Sequence, residues 1–373
     1  VPAPKAEGLT VTSFNNTGPN QKKTALVVGA SGIAGSAIVE HLQQQGGWDI
    51  LALSRRPVPG QTARHIAADL SSPENLSAAL HPEQPTHVFF TAWARQATEQ
   101  ENIDVNAAML RNLLAALGHA PVEHVALMTG LKHYLGPFEA YGSGPMPDTP
   151  FREEEPRLPV PNFYYAQEDE LWAAAERQGF GWSVHRSHTV VGHAVGNAMN
   201  MGLTLAVQAS LCREEDRPFV FPGSETQWNG LTDMTDGGLL AEHMVWAATT
   251  DGARNEAYNV VNGDVFRWRG MWPRIAAYFG VEPEGFQGAA RPLEEQMQGA
   301  AQSWKALADR HGLVEPDVSR LASWWHTDAD LGRNVEVLAD MGKSRDRGFT
   351  GYRRTDASFL RLFDRYRDEK IIP

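Results

Sequence analysis

Two adjacent tyrosines, Tyr164 and Tyr165, open a helical segment, and the lysine nearest to them in the chain, Lys132, lies on an earlier one. A phenol has an unperturbed pKa of about 10 and is therefore a neutral hydrogen-bond donor at pH 7. Such a donor can hold a carbonyl oxygen as negative charge develops on it, and a neighbouring ammonium lowers the phenol pKa further. One helical turn beyond Tyr164 stands Glu168, and beyond Tyr165 stands Asp169, so neither tyrosine has a lysine on its own helix face. Paired tyrosines taken alone read as core residues with satisfied hydroxyls, so position has to decide. One literal Tyr-x-x-x-Lys occurs at Tyr366–Lys370. It lies at the far C-terminal end and reads as chance on an exposed charged helix. The 13 histidines include no His-Glu-x-x-His and the chain has 1 cysteine, Cys212, which predicts no metal site and no disulfide framework.

The elements that would position these groups begin with Thr24–Val28, an apolar run of the length of a buried parallel strand. Gly29-Ala-Ser-Gly-Ile-Ala-Gly35 follows, and Ser36–Leu42 then has helical apolar spacing. Strand, glycine turn and helix in this order predict a dinucleotide site. The glycines allow a tight turn and close backbone approach, and the helix N-terminus attracts a pyrophosphate. Gly29, Ser31, Gly32 and Ile33 are its expected contacts. A second strand, Ile50–Leu53, ends in Ser54-Arg55-Arg56 where an NAD site would carry an acid on the ribose. A hydroxyl and two guanidiniums suit a 2′-phosphate instead, so NADPH/NADP+ is the expected cofactor.

Strand and helix keep alternating. Arg64–Leu70 reads as a third strand ending in Asp69-Leu70, expected beside the adenine. His87–Phe90 is a fourth, with Thr91, Ala92 and Trp93 at its exposed end. Asn106–Leu114 reads as a helix and Val125–Met128 as a fifth strand ending at Thr129-Gly130. Ligands of open parallel sheets bind at the carboxyl ends of strands. That rule gathers Gly29, Arg55, Asp69, Thr91 and Thr129 around one crevice, with Lys132 at the same edge. Pro159 and Pro161 delay the helix that carries Tyr164, and Gly179 ends it. A tyrosine and a lysine at the cofactor edge, even from separate segments, match the catalytic pair of a short-chain dehydrogenase/reductase.

Composition narrows the class. At 373 residues the chain can hold one long domain or two close-packed ones, and 42% hydrophobic with 21% charged residues is ordinary for a globular protein. A net charge of −12 argues against a nucleic-acid surface, and no apolar run is long enough to span a membrane. The single cysteine makes a reducing, cytoplasmic setting the expectation. Residues 1–23 lack apolar periodicity and a secretory h-region and read as a mobile arm. Beyond Thr189 the strand–helix alternation fades. Helices are expected over Met199–Cys212, Gly237–Thr250, Trp268–Phe279 and Pro292–His311, with a short strand at Phe219–Phe221. The 11 tryptophans are expected as apolar walls of the core and of a substrate cavity.

The motifs Thr129-Gly-Leu-Lys-His-Tyr-Leu-Gly-Pro-Phe-Glu139, Pro156-Arg-Leu, Asn162-Phe-Tyr-Tyr165 and Ser183-Val-His-Arg186 resemble those of the progesterone 5β-reductase/iridoid synthase-like family. The likeness continues through Asn255–Asn259, Asn262–Trp268, Gly348–Tyr352 and Lys370–Pro373. It implies an α/β fold: a Rossmann-type doubly wound parallel sheet of the extended type with a smaller, mainly helical C-terminal cap. Residues 24–190, joined by returning segments, would bind NADPH, and 191–373 would form the cap. The resemblance further implies NADPH-dependent 1,4-reduction of an enone or enal, with Tyr164 on the enolate oxygen and Lys132 as its lysine. It also implies a homodimer. Two departures stand out. Ser187 replaces a proline and is followed by His188, in a stretch reaching Val190 beside the nicotinamide, and His326 stands where plant members carry an aromatic residue. A surface position for His326 stays open, as does a pocket position where it offers a substrate oxygen a second donor. Trp93, Met199 and Met201 are further expected substrate contacts. The same Tyr–Lys pair would also serve a carbonyl reductase acting on small apolar ketones. An NADP-holding sensor without turnover would need neither residue.

Overall fold

The computed structural model describes residues 23–57, 62–137, 146–197 and 199–373. Apart from Lys23, the expected N-terminal arm lies outside the described residues, as do Phe138 and Glu139 of the glycine–lysine motif. The first half runs β1 (Lys23–Val28), α1 (Ile33–Gln45), β2 (Trp48–Ser54), β3 (Arg64–Ala67), α2 (Pro73–Leu80), β4 (His87–Phe90) and α3 (Glu99–Ala116). Then come β5 (His124–Gly130), the one-turn α4 (Lys132–Leu135), α5 (Phe163–Gln178) and β6 (Gly181–Ser187). The second half begins β7 (Val190–Val191), α6 (Met201–Glu214), β8 (Phe219–Val220), α7 (Glu225–Asn229), β9 (Thr235–Asp236), α8 (Gly237–Thr249) and β10 (Glu256–Val260). It ends with α9 (Trp268–Phe279), β11 (Pro283–Glu284), α10 (Leu293–Gln296), α11 (Ala300–His311), α12 (Trp324–Leu331), α13 (Gly342–Asp346) and α14 (Thr355–Asp368).

Seven strands form one parallel sheet in the order β10-β6-β5-β4-β1-β2-β3. The chain leaves β1 toward β2 and β3, then returns to build outward from β4, so the strand order reverses between β1 and β4. That reversal opens a crevice at their carboxyl ends. Apolar runs such as Ala25–Val28 belong in a sheet covered on both faces. Alternate residues point opposite ways: Ala25 and Val27 pack with α1 and α8, while Leu26 and Val28 pack with α2, α3 and α5. A separate core joins α6, α9, α11 and α14 of the helical C-terminal region, where the Phe219 and Trp272 rings stack at 3.9 Å.

Several expectations are corrected here. Trp268, Trp272 and Trp304 are buried in that helical core, and no tryptophan lines the cleft described below. The helix expected over 292–311 is two, because Gly299 breaks it in the left-handed region at φ 85°. Helix α3 starts at Glu99 rather than near Asn106, since Thr98 and Glu101 form a reciprocal capping box. Strand β3 stops at Ala67, short of Asp69. The C-terminal helix is amphipathic and not exposed throughout: Tyr366 is buried, accepts from Asn200 Nδ2 at 2.9 Å, and packs beneath the 192–194 segment.

Candidate active site

The glycine turn is a cradle that side chains would fill. Gly29 has φ 85°, and a Cβ there would lie 2.9 Å from Thr91 Oγ1 and 3.0 Å from Ala92 N. A Cβ on Gly35 would lie 2.1 Å from Gly29 O, so only glycine lets α1 close onto the turn. The N-cap of α1 is Gly32, with no side-chain cap and no acid in the first turn, which leaves its leading amides to an anion. At the end of β2, Ser54 is buried and donates to Arg56 O at 2.6 Å, while Arg55 and Arg56 are exposed. Hydrogen bonds from Ser71 hold the Asp69 carboxyl below its usual range, and the Arg55 charge adds to this. These residues fit the adenosine half of a nicotinamide dinucleotide.

From the turn the crevice continues into a cleft. Of the expected site residues, Gly32, Ile33, Thr91, Thr129, Gly130, Lys132, Tyr164, Val190, Met199 and His326 line it together. Gly29, Ser31, Ser54, Arg55, Arg56, Asp69, Leu70, Ala92 and Trp93 follow the strand ends outside its wall. Trp93 stacks on Phe163 at 5.9 Å. Met201 is not brought to the cleft; it is buried in the helical core because α6 begins there, one residue after its cap Asn200. Thr129 Oγ1 is buried with no hydrogen-bond partner among the described residues.

One asparagine joins the two segments that carry the tyrosine and the lysine. Buried Asn162 caps α5 by accepting from Tyr164 N at 3.0 Å, and its Nδ2 donates to Lys132 O at 2.8 Å. Glu99 accepts from Phe163 N at 2.8 Å, so the start of α5 is tied to α3 as well. The Lys132 ammonium is buried and sits 5.0 Å from the Phe163 ring centre. Gly130 lies under the Tyr164 ring: a Cβ there would come within 3.2 Å of Tyr164 Oη and 3.1 Å of Ser187 O. Burial pushes the Tyr164 phenol above its ordinary pKa, and the Glu99 carboxylate adds to the rise. Tyr165 points elsewhere. Its hydroxyl donates to His133 O at 2.6 Å and accepts from Leu158 N at 3.0 Å, a structural role.

The rest of the cleft lining is largely polar. His326 is buried, with Nε2 3.8 Å from Asp330 Oδ2, and burial lowers its pKa while the Asp330 carboxylate opposes that shift. Ser187, His188, Thr189, Asn197, Asp330 and Arg333 also line the cleft. Asp330 and Arg333 follow His326 at intervals of four and three residues, a one-face helical pattern visible in the sequence. Burial alone would raise the Asp330 pKa, but Arg333, His326 and the Thr189 hydroxyl hold it below the ordinary value. Asp233, buried against His188, had no local sequence signal.

A family model described as a PRISE-like Rossmann-fold domain matches residues 75–373. The (S)-8-oxocitronellyl enol synthase CYC2 of Camptotheca acuminata is 38% identical over 366 residues, covering 94% of each chain. The 3-oxo-Delta(4,5)-steroid 5-beta-reductase of Arabidopsis thaliana is 38% identical over 384 residues, covering 99% of this chain and 98% of its own. Among solved structures, a Thermus thermophilus UDP-glucose 4-epimerase in complex with NAD superposes with a TM-score of 0.64 at 19% identity, over 92% of this chain and 99% of that one. A short-chain dehydrogenase/reductase superfamily protein of Agrobacterium tumefaciens with bound NAD gives 0.63 at 14%, over 93% and 98%. At such identities these two structures establish the fold alone.

Proposed function

This chain belongs to the PRISE-like family of Rossmann-fold reductases, and from that premise we propose that it is an NADPH-dependent enone reductase. A 3-oxo-Δ4,5 steroid, named in one relative, is a conjugated enone. An enol, named in the other, is what forms when hydride adds to the β-carbon of an enal and a proton to its oxygen. The observation that carries the reading is the meeting of Tyr164 and Lys132 in one cleft at the end of the glycine turn.

Bound NADPH would supply a hydride to the substrate β-carbon. As the C=C pair moves toward oxygen, Tyr164 donates a hydrogen bond to the developing enolate, which then takes a proton from solvent at its α-carbon to give the saturated carbonyl product. Lys132, in the same cleft, would supply positive charge toward that oxygen and the bound cofactor. Asn162 keeps both groups in register. Arg55 and Arg56, with no acid at the end of β2, favour a 2′-phosphate. Met128, Leu131, Leu135 and Met199 give the cleft an apolar side suited to small apolar enones and enals.

The test is Tyr164→Phe with NADPH and a small cyclic enone, followed at 340 nm with product identification. Loss of a donor to a developing oxyanion costs on the order of 10²–10³ in kcat, while NADP+ affinity should stay within about twofold. A saturated ketone from the parent enzyme is the expected product. An allylic alcohol would make it a carbonyl reductase, and unchanged turnover in the variant would remove Tyr164 from the reaction.

A further inference from the structure

One strip of the cleft wall, Ser187–Val190, is gripped from two directions. On the sheet side, Ser187 O accepts from Leu131 N at 3.2 Å and Ser187 Oγ donates to Thr129 O at 3.1 Å. His188 N donates to Thr235 Oγ1 at 3.0 Å, and Thr189 O accepts from Thr235 N at 3.1 Å. The other grip comes from α12 and the turn just beyond it. Thr189 Oγ1 donates to Asp330 Oδ2 at 2.7 Å, and Arg333 Nη2 reaches His188 Nε2 at 3.1 Å. A guanidinium has no acceptor, so His188 must present a bare Nε2 and carry its proton on Nδ1. That proton is donated to Asp233 Oδ1 at 2.8 Å, while Asp233 Oδ2 accepts from Ala339 N at 2.8 Å. Arg333 is itself held, its Nε donating to Asp330 O at 2.9 Å.

Stability does not account for this arrangement. Two carboxylates and a guanidinium are buried together here, and desolvating such groups is costly enough that apolar residues of the same volume often serve a fold equally well. What the network does achieve is to join α12, which packs among the cap helices, to the strip that lines the cleft together with Gly32, Ile33 and Tyr164.

We propose that Asp330 and Arg333 are positioning residues that clamp the Ser187–Val190 strip from the cap, so that the nicotinamide end of the cofactor is held firmly only while α12 is docked. The proposal rests on the cofactor reading above but not on the enone reaction. Its experiment is therefore a binding measurement. Calorimetry compares NADP+ with 2′,5′-ADP, which keeps the 2′-phosphate half and lacks the nicotinamide. Thr189→Val, close in shape, should weaken NADP+ about tenfold and leave 2′,5′-ADP within about twofold, and Thr189→Ser should restore NADP+ binding. Arg333→Met, which releases the second grip, should show the same split without altering any side chain of the strip. Parent-like NADP+ binding in Thr189→Val and Arg333→Met overturns the proposal. So does an equal loss of both ligands, or a Thr189→Ser variant as weak as Thr189→Val. A parent enzyme that binds NADP+ but reduces no enone would refute the proposed function and leave this split intact.

Discussion

Asn162 should control activity and stability separately, and two substitutions can tell these roles apart. Its Oδ1 caps α5 and its Nδ2 holds Lys132 O, which also accepts from Gly136 N at 2.9 Å. Losing the Nδ2 bond therefore does not orphan a buried carbonyl, and its cost is about 1 kcal/mol rather than a full desolvation penalty. Loss of the cap costs about 1 kcal/mol more. Asn162→Ala should lower unfolding free energy by roughly 2 kcal/mol. Asn162→Ser keeps an acceptor at the cap and should lose only about 1 kcal/mol. Both variants release Lys132 from Tyr164, so both should lose kcat to a similar degree, on the order of tenfold or more for a misplacement well under 1 Å. Urea unfolding and NADPH oxidation with a cyclic enone measure the two quantities. If kcat instead follows stability, with the serine variant midway between parent and alanine, Asn162 acts through the cap and the tether argument is wrong.

A Cβ at Gly130 would press on Ser187 O, which is backbone, and on Tyr164 Oη; Gly130→Ala should cut kcat about tenfold with little change in the urea midpoint, and parent-like turnover would show that the ring has room to move. Arg55→Ala combined with Arg56→Ala should narrow the ratio of NADPH to NADH kcat/KM, and an equal loss with both cofactors would show that these arginines do not read the 2′-phosphate. Burial holds His243 near about 3 and His124 and His185 well below their ordinary values, along a chain bridged by Ser183. These depressed values add nothing above the unfolded pKa near 6.5, but below it the unfolded state takes up protons first, so each should lose about 1.4 kcal/mol by pH 5.5; an unfolding midpoint flat from pH 7 to 5.5 would contradict this.

What could be read in the sequence follows from how locally each feature is determined. Strands β1, β4 and β5 are short apolar runs, and a sheet covered on both faces demands little else. Tyr164 and Lys132 were legible because each stands a fixed step from a strand or helix boundary that the sequence marks. The break at Gly299 was harder, since an isolated glycine within a helical pattern is often tolerated. Helix α3 could have been placed correctly from Thr98 and Glu101, three residues apart in a capping-box pattern. Met201 and Tyr366 illustrate the other limit. Which way a residue of an amphipathic helix faces is decided by distant partners, and Tyr366 owes its burial to the 192–200 segment. Asp233 is reachable only through the fold, because nothing near it in the chain predicts a contact with His188.

The same burial bears on the direction of the chemistry. A dehydrogenase that oxidises an alcohol needs a base, and a tyrosine serves as one to the extent that it is a phenolate near neutral pH. Burial and the Glu99 carboxylate move Tyr164 the other way, keeping the phenol protonated. Lys132 and a bound oxidised nicotinamide would oppose that shift, but the protein's own contribution favours a donor. A neutral donor is matched to a substrate oxygen that gains charge, as an enone oxygen does when hydride arrives at the β-carbon. The arrangement therefore suits stabilising an enolate better than deprotonating an alcohol. Ionising Tyr164 at high pH should accordingly slow reduction of the enone, read as a fall in kcat on the alkaline limb of its pH profile, and a kcat that rises there would refute the donor role.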